Sequence, residues 1–141
     1  MEHAAEVCEH ETTVAIGLVR RDDAFLVGHR APGTPLAGRA EFPGGKCLPG
    51  EPPEAAVVRE CREETGLTVA VLRRRRDVRH AYPHGRLHLV FLDCAAAEGP
   101  EPLPPFRWVA RSDLAHLRFP EANRVVIAEL LREVDGTEVP G

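Results

Sequence analysis

Three glutamates, Glu60, Glu63 and Glu64, stand at positions i, i+3 and i+4 in a stretch whose composition predicts a helix. At this spacing they share one helical face, where each exposed pair of like charges costs about 0.2–0.5 kcal/mol. Mg²⁺ takes oxygen ligands and is often held jointly by protein carboxylates and substrate phosphates. The spacing therefore predicts either a divalent-metal site or a solvated acidic face.

The helix that carries these acids is predicted over Pro53–Thr65. Pro53 suits the first helical position and Gly66 suits the C-terminal stop. Glu51 lies at the helix start, where the macrodipole favours an anion, and Arg59 directly precedes the acids. The acids are therefore expected on one face of a well-delimited helix.

The segment GKCLPGEPPEAAVVRECREETGL, residues 45–67, resembles the Nudix box. That box has seven fixed positions, here Gly45, Glu51, Arg59, Glu60, Glu63, Glu64 and Gly66. Cys61 and Leu67 fill its two apolar positions, and Cys61 is small but apolar enough for a core position. The resemblance favours the metal site over the solvated face.

The resemblance implies hydrolysis of a phosphoric anhydride with Mg²⁺ or Mn²⁺. Three carboxylates and one main-chain carbonyl would bind the metal, at Gly44, Glu60, Glu63 and Glu64. Arg59 and Glu51 would orient that cluster. Metal-assisted attack of water on phosphorus is implied, without a covalent protein intermediate. The general base is either Glu60 or Glu64.

Two segments outside the box are similar to MutT-like members of the family, which remove oxidised guanine nucleotides. They are EFPGGK at residues 41–46 and FPEAN at residues 119–123. Substrate contacts are implied for Arg30, Glu41, Phe42, Gly45, Tyr82 and Asn123.

Several of these residues have a structural alternative. Asn123 would read the purine edge or stabilise the end of the last helix. Phe42 would stack on the base or belong to the core. Arg30 would meet a phosphate or be a strand-end cation, and Tyr82 would line the pocket or form a turn with Pro83 and His84.

The chain also departs from the MutT pattern. His84-Gly85 stands where those enzymes have Asp-Arg, and the loop before Trp108 is shorter. That loop supplies those enzymes with an additional metal-side glutamate, for which Glu98 and Glu101 are the candidates here. Pro52 replaces a common helix-capping Ser or Thr. These departures concern the base and leave the pyrophosphate chemistry intact.

The remaining pattern predicts strands at residues 12–20, 24–29, 67–72, 86–95 and 106–109, with the fourth alternating around Leu87, Leu89 and Phe91. The first two form a hairpin across Asp22-Asp23, and the strand from residue 67 continues past the basic run 73–76. A long loop at 31–50 holds one short strand near 39–42, a turn covers 112–117, and a helix covers 120–134. This order predicts an α/β fold, a mixed sheet sandwiched between helices (α/β/α).

Bulk composition indicates one ordinary globular domain over residues 1–141, with a flexible start at 1–11. The net charge of −4 argues against a general surface for nucleic acid, and no apolar run is long enough for a membrane helix. The run 73–76 is expected to be solvated or salt-bridged, and His80, His84 and His88 are not expected to bind metal. A cytoplasmic location and a monomer or homodimer are expected.

Three functions follow in order. The first is hydrolysis of a nucleoside triphosphate, with oxidised nucleotides of the 8-oxo-dGTP kind among the candidates, to monophosphate and pyrophosphate. The second is the same chemistry on CTP or another pyrimidine nucleotide, a dinucleoside polyphosphate or ADP-ribose. The third is a non-catalytic ligand sensor, which the complete set of box acids disfavours.

Overall fold

A mixed sheet lies between two α-helices in the computed structural model, which describes residues 11–34 and 37–133. Its strands are β1 (Glu11–Arg21), β2 (Ala24–His29), β3 (Ala40–Glu41), β4 (Gly44–Lys46), β5 (Val69–Tyr82), β6 (Gly85–Ala96) and β7 (Arg107–Ala110). The helices are α1 (Pro53–Thr65) and α2 (Arg124–Arg132), with 3₁₀ helices at Arg111–His116 and Glu121–Asn123. Within the described residues no helix is long and apolar enough to cross a bilayer.

Strand β1 is the centre of the sheet. It runs parallel to β6, with Ala15 opposite Val90, and antiparallel to β2 and β4. Strand β5 extends the sheet beyond β6, while β2 also pairs with β3 and β7. The mixture of parallel and antiparallel neighbours confirms the predicted mixed sheet.

Alternate residues of the central strands build two cores, one on each face of the sheet. Val19 and Val90 face the core that α1 covers, whereas Leu18 and Phe91 face the core that α2 covers. Side chains alternate between faces along a strand, so two apolar faces require a layer of structure on each side. The α/β/α sandwich is therefore confirmed.

The structure corrects three predicted boundaries. The loop predicted at 31–50 also contains β4, which pairs with β1 far away in the chain and leaves no local periodicity. The last helix begins at Arg124 rather than at residue 120, because the Asn123 N–H bonds the Pro120 carbonyl at 2.9 Å in a 3₁₀ turn. Glu11 begins β1, and the rest of the start expected to be flexible, residues 1–10, lies outside the described residues.

The four arginines at residues 73–76 are ion-paired, which confirms the salt-bridged alternative. Two of them bind Asp93, each at 2.7 Å, and one binds Glu54 of α1 at 2.7 Å. The remaining pairs reach Glu129 of α2 and Glu133 directly after it. Strand β5 is thereby tied to both helical layers, although the exposed pairs contribute no more than about 1 kcal/mol each.

Helix α1 approaches β1 closely because Gly17 lacks a side chain. A Cβ at this position would lie 2.9 Å from Val57 Cγ2 and 3.4 Å from Cys61 Sγ. Both contacts belong to buried core residues of α1, so neither can move aside without displacing the helix. Gly17 therefore sets the distance between the sheet and the helix that carries the acids.

We expect Gly17→Ala to lower the free energy of unfolding by about 1–3 kcal/mol, because it overpacks this contact. Chemical denaturation measures the change. Gly99→Ala is the matched control, since a Cβ at Gly99 would meet only the Ala97 carbonyl oxygen at 4.0 Å. Equal stability of the two variants would contradict the close-approach role of Gly17.

Candidate active site

Helix α1 has well-defined ends and one buried face. Gly66 ends it in the left-handed conformation, with φ 79°, and its N–H bonds the Arg62 carbonyl at 3.0 Å. Pro52 starts it without a side-chain cap, as the sequence predicts. Ala56, Val57, Cys61 and Thr65 are buried against the sheet. Burying this face leaves the acids to project from the helix surface.

Thr65 holds the end of α1 by two hydrogen bonds although it is polar and fully buried. Its hydroxyl donates to the Cys61 carbonyl at 2.7 Å and accepts from the Leu67 N–H at 3.1 Å. The Leu103 N–H donates to the Thr65 carbonyl at 2.9 Å. The turn after the acids is therefore fixed on both sides.

Arg59 is the hub of the acidic face. Its Nε and Nη2 atoms bind the two oxygens of Glu51, both at 2.9 Å. Its Nη1 atom contacts Glu60 Oε2 at 3.1 Å and Glu63 Oε1 at 3.4 Å. Nη2 also donates to the main-chain carbonyl of Lys46 at 3.1 Å. One planar cation thus joins three carboxylates and strand β4.

Glu51 closes the loop before α1 by two interactions. Its carboxylate accepts the Arg59 fork and the Leu48 N–H at 2.8 Å. The hydrogen bonds from Arg59, followed by that from Leu48, lower the pKa of Glu51 to about 2. The Glu51 hydrogen bond in turn raises the pKa of Arg59. Both groups therefore stay charged at neutral pH.

Glu64 is the acid on which the charges of three other glutamates act. The Gly44 N–H donates to its Oε1 at 3.1 Å. Glu64 reaches the protein surface, yet enough protein surrounds its carboxyl for desolvation to be the main cause that raises its pKa to about 7. The Gly44 hydrogen bond opposes this rise, while the charges of Glu60, Glu41 and Glu63 add to it.

The donor set fits a hard divalent cation in type and in charge. The acids supply oxygen ligands only, and their repulsion at Glu64 is what a bound cation would offset. Within residues 11–34 and 37–133, however, no three His, Cys, Asp or Glu side chains converge as a formed metal site. Glu60 and Glu63 are turned towards Arg59 instead.

Gly45 provides the space for one of these carboxylates. A Cβ there would lie 2.5 Å from Glu60 Cδ and 2.5 Å from Glu60 Oε2. Strand β4 pairs Gly45 with Ala15 of β1, so the backbone cannot retreat. Gly45 therefore sets the position of Glu60. The Lys46 carbonyl, which the sequence did not single out, adds the adjoining contact to Arg59.

Comparison with known proteins matches residues 14–129 to the NUDIX domain model. The chain belongs to the Nudix family. It is 36% identical over 124 residues to an 8-oxo-dGTP diphosphatase of Escherichia coli, covering 84% of this chain and 95% of that protein. It is also 40% identical over 58 residues to a CTP pyrophosphohydrolase of the same organism, covering 41% and 43%.

A crystal structure of the MutT protein from Methanosarcina mazei has the same fold. It superposes with a TM-score of 0.72 at 22% identity, covering 89% of this chain and 96% of that one. The Nudix fold and the Nudix hydrolase assignment predicted from the box are therefore confirmed. The roles of individual site residues stay predictions.

Arg30 and Glu41 lie together beside the Nudix acids. Arg30 directly follows β2, and Glu41 belongs to β3, which pairs with β2. Arg30 Nε lies 3.9 Å from Glu41 Oε1. Both side chains are more than two-fifths exposed, at 46% and 42%. Because the charge of Glu41 also acts on Glu64, this pair adjoins the box. Their predicted substrate contacts are compatible with this placement.

Phe42 and Asn123 lie on the α2 side of the sheet. The Phe42 ring is buried and stacks on Phe119, with centroids 4.6 Å apart and an angle of 21° between planes. The structure thus gives Phe42 its core role, and base stacking stays a prediction. Asn123 is also buried, and its side chain makes no capping hydrogen bond to α2. The structure does not describe the Tyr82 side chain, so its predicted substrate contact stays a prediction.

Glu98 and Glu101 are the candidates for the additional metal-side glutamate. No described contact places either of them beside the box acids. Glu98 lines a cavity with Arg20 and Arg21, near the turn between β1 and β2. Glu101 is exposed in the loop before β7. A metal contact from either residue stays a prediction.

We expect Gly45→Ala to weaken binding of Mn²⁺ and lower the turnover rate by about 10- to 100-fold, because the new methyl group displaces the Glu60 carboxylate. The carboxylate is the free end of a flexible side chain, so the free energy of unfolding should change little. Titration of Mn²⁺ and denaturation measure the two effects, with Gly99→Ala as control. A variant with intact Mn²⁺ affinity would show that Glu60 needs no such cradle.

We expect Arg59→Lys to lower the turnover rate by about 10- to 100-fold, because an ammonium group cannot form the fork with Glu51 and also contact Glu60. Steady-state kinetics provide the measurement. Arg62→Lys is the control on the same helix, since Arg62 contacts only the Thr68 hydroxyl, at 3.3 Å, among side chains of the described residues. If both variants kept the wild-type rate, Arg59 would not position the acids.

Proposed function

We propose that this Nudix hydrolase cleaves a nucleoside triphosphate with water to the monophosphate and pyrophosphate. The observation that carries the proposal is that Glu60 and Glu63 contact Arg59, while Glu64 on the same helix accepts the Gly44 N–H. Such a set of carboxylates suits a divalent cation, and a cation held there would offset the negative charge on the phosphate oxygens.

Mg²⁺, or Mn²⁺ in its place, is the cofactor of this proposal, held by Glu60, Glu63, Glu64 and the Gly44 carbonyl. When bound, the ion offsets phosphate charge and lowers the pKa of water. Arg59 and Glu51 fix the direction of the acids. Glu60 or Glu64 accepts the proton that the attacking water loses, and pyrophosphate leaves as the second product.

An oxidised guanine nucleotide is the substrate that we propose first. The 8-oxo-dGTP diphosphatase relative supports it, because that similarity extends over most of both chains. Asn123 supports it chemically, since a side-chain amide offers a donor and an acceptor to a base edge and this one is not used to cap α2. Phe42 lies two residues before Gly44 and connects the box to the Asn123 side through Phe119.

Hydrolysis of CTP is the second candidate, supported by the partial similarity to a CTP pyrophosphohydrolase. Asn123 suits it equally well, because an amide can also pair with a pyrimidine edge. The altered segment at His84-Gly85 falls in the region where the substrate classes would differ.

The proposal further takes residues 1–141 as one domain that acts in the cytoplasm as a monomer or homodimer, without binding nucleic acid. The overall charge of −4 supports the last point, because a polyanion would be repelled outside a local cationic site.

A panel of 8-oxo-dGTP, dGTP, dATP and CTP, assayed for pyrophosphate release with Mg²⁺, tests the proposal. We expect 8-oxo-dGTP to have the highest kcat/KM and chelation of Mg²⁺ to stop the reaction. Glu63→Gln should lower turnover more than about 100-fold, because even residues that only support metal ligands contribute 10- to 100-fold. Glu54→Gln, on the same helix, is the matched control.

The outcomes separate the parts of the proposal. Equal rates for 8-oxo-dGTP and dGTP, or a preference for CTP, would reject the oxidised substrate and keep the chemistry. Tight nucleotide binding without hydrolysis would make the protein a sensor. Glu63→Gln and Glu64→Gln variants with wild-type rates would refute the metal site itself.

A further inference from the structure

A cavity lies on the face of the sheet that α2 covers, whereas the Nudix acids belong to α1 on the opposite face. It has a volume of ≈ 550 Å³ and runs between α2 and the segment 114–119, with Arg39 at its end. Three arginines line it, Arg39, Arg118 and Arg124, and every other lining residue is apolar. We call this cavity the arginine groove. None of the residues predicted to act on substrate lines it.

The arginines of the groove are brought together by the backbone. The Ala40 N–H donates to the Arg118 carbonyl at 3.0 Å, which places residues 39 and 118 side by side. Arg124 bonds Glu121 at 3.1 Å, but both side chains are more than 70% exposed, so water screens that pair. In the part of the chain that the structure describes, Arg39 and Arg118 have no carboxylate partner.

This lack contrasts with the arginines of β5. The run 73–76 carries four adjacent arginines, and each binds a carboxylate of the same chain. An anion in the groove would be attracted by both of these positive charges. The groove therefore presents unused positive charge on a chain of net charge −4.

The apolar part of the groove is exposed too. Val126 and Leu130 point α2 into the core, Ile127 packs against the same core and also lines the groove, and Ala128 and Leu131 line the groove at the surface. Leu131 is 37% exposed, and Ala128 is exposed as well. The groove therefore joins aliphatic surface to the three arginines.

The lining chemistry selects the class of occupant. No Ser, Thr, Asn, Gln, Asp or Glu side chain lines the groove. Arginine only donates hydrogen bonds, so a base edge that presents donors finds no side-chain acceptor in the groove. An acidic segment with apolar anchors needs only the two things that the groove supplies, positive charge and aliphatic surface.

We propose that the arginine groove docks an acidic amphipathic segment of a partner protein. Apolar side chains of that segment lie against Leu117, Ile127 and Leu131, and its carboxylates pair with Arg39 and Arg118. The groove shares no residue with the Nudix box, and its Phe119 stacks on Phe42.

A labelled peptide of about twelve residues, with leucine at helical spacing and glutamate elsewhere, tests the proposal by fluorescence anisotropy. We expect it to bind, and the affinity to fall with added salt. The double variant Arg39→Glu/Arg118→Glu should bind at least about tenfold more weakly. Arg132→Glu is the matched control, since Arg132 is exposed on α2 but does not line the groove.

Two further measurements locate the bound peptide and check that the double variant is folded. Amide shifts in NMR spectra should change at Ile127 and Leu131 on peptide addition, and thermal unfolding should show that the double variant is folded. Binding by a peptide with lysine in place of every glutamate, or equal binding by the double variant, would overturn the proposal. Displacement of the acidic peptide by GTP would assign the groove to a phosphorylated small molecule and would overturn it as well.

Discussion

The active-site helix depends on one arginine that holds acids which would otherwise repel one another. Arg59 binds both oxygens of Glu51 and contacts Glu60 and Glu63 from a single guanidinium group. It also binds the Lys46 carbonyl and so ties α1 to β4. A lysine could supply the charge but not the fork, because an ammonium group has no fixed planar geometry. Arg59 therefore offsets the repulsion between Glu51, Glu60 and Glu63 and ties all three to one guanidinium group.

Two glycines make that arrangement possible by leaving space on the sheet. Gly17 lets the buried face of α1 pack closely on β1, and Gly45 leaves space for the Glu60 carboxylate beside β4. Their effects differ in kind. At Gly17 the neighbours are core atoms that cannot yield, so the contact concerns stability. At Gly45 the neighbour is the end of a flexible side chain, so the contact concerns the direction of a functional group.

The sequence predicts the elements whose cause is local and misses those whose cause is distant. Alternating apolar residues and a helix with Pro53 and Gly66 at its ends are local patterns, and the structure agrees with them. Strand β4 has only three residues and forms because it pairs with β1. Its sequence is too short to show an alternation of apolar and polar residues. The box predicts which acids cluster, whereas the role of Gly17 depends on a contact between elements 40 residues apart.

The two sides of the sheet separate the box acids from Phe42 and Asn123, the residues predicted to contact the base. The box acids project from α1, over the core that contains Val57 and Cys61. Phe42 and Phe119 pack in the opposite core, next to Asn123 at the start of α2. The chain between Ala40 and Lys46 connects the two, since Phe42 faces one core while Gly45 supports Glu60 on the other. If Phe42 and Asn123 contact the base as predicted, a nucleotide crosses this edge, and substitutions at these residues can change the base without moving the acids. The box itself carries no information about the base, and the chain is similar to two enzymes whose names specify different bases.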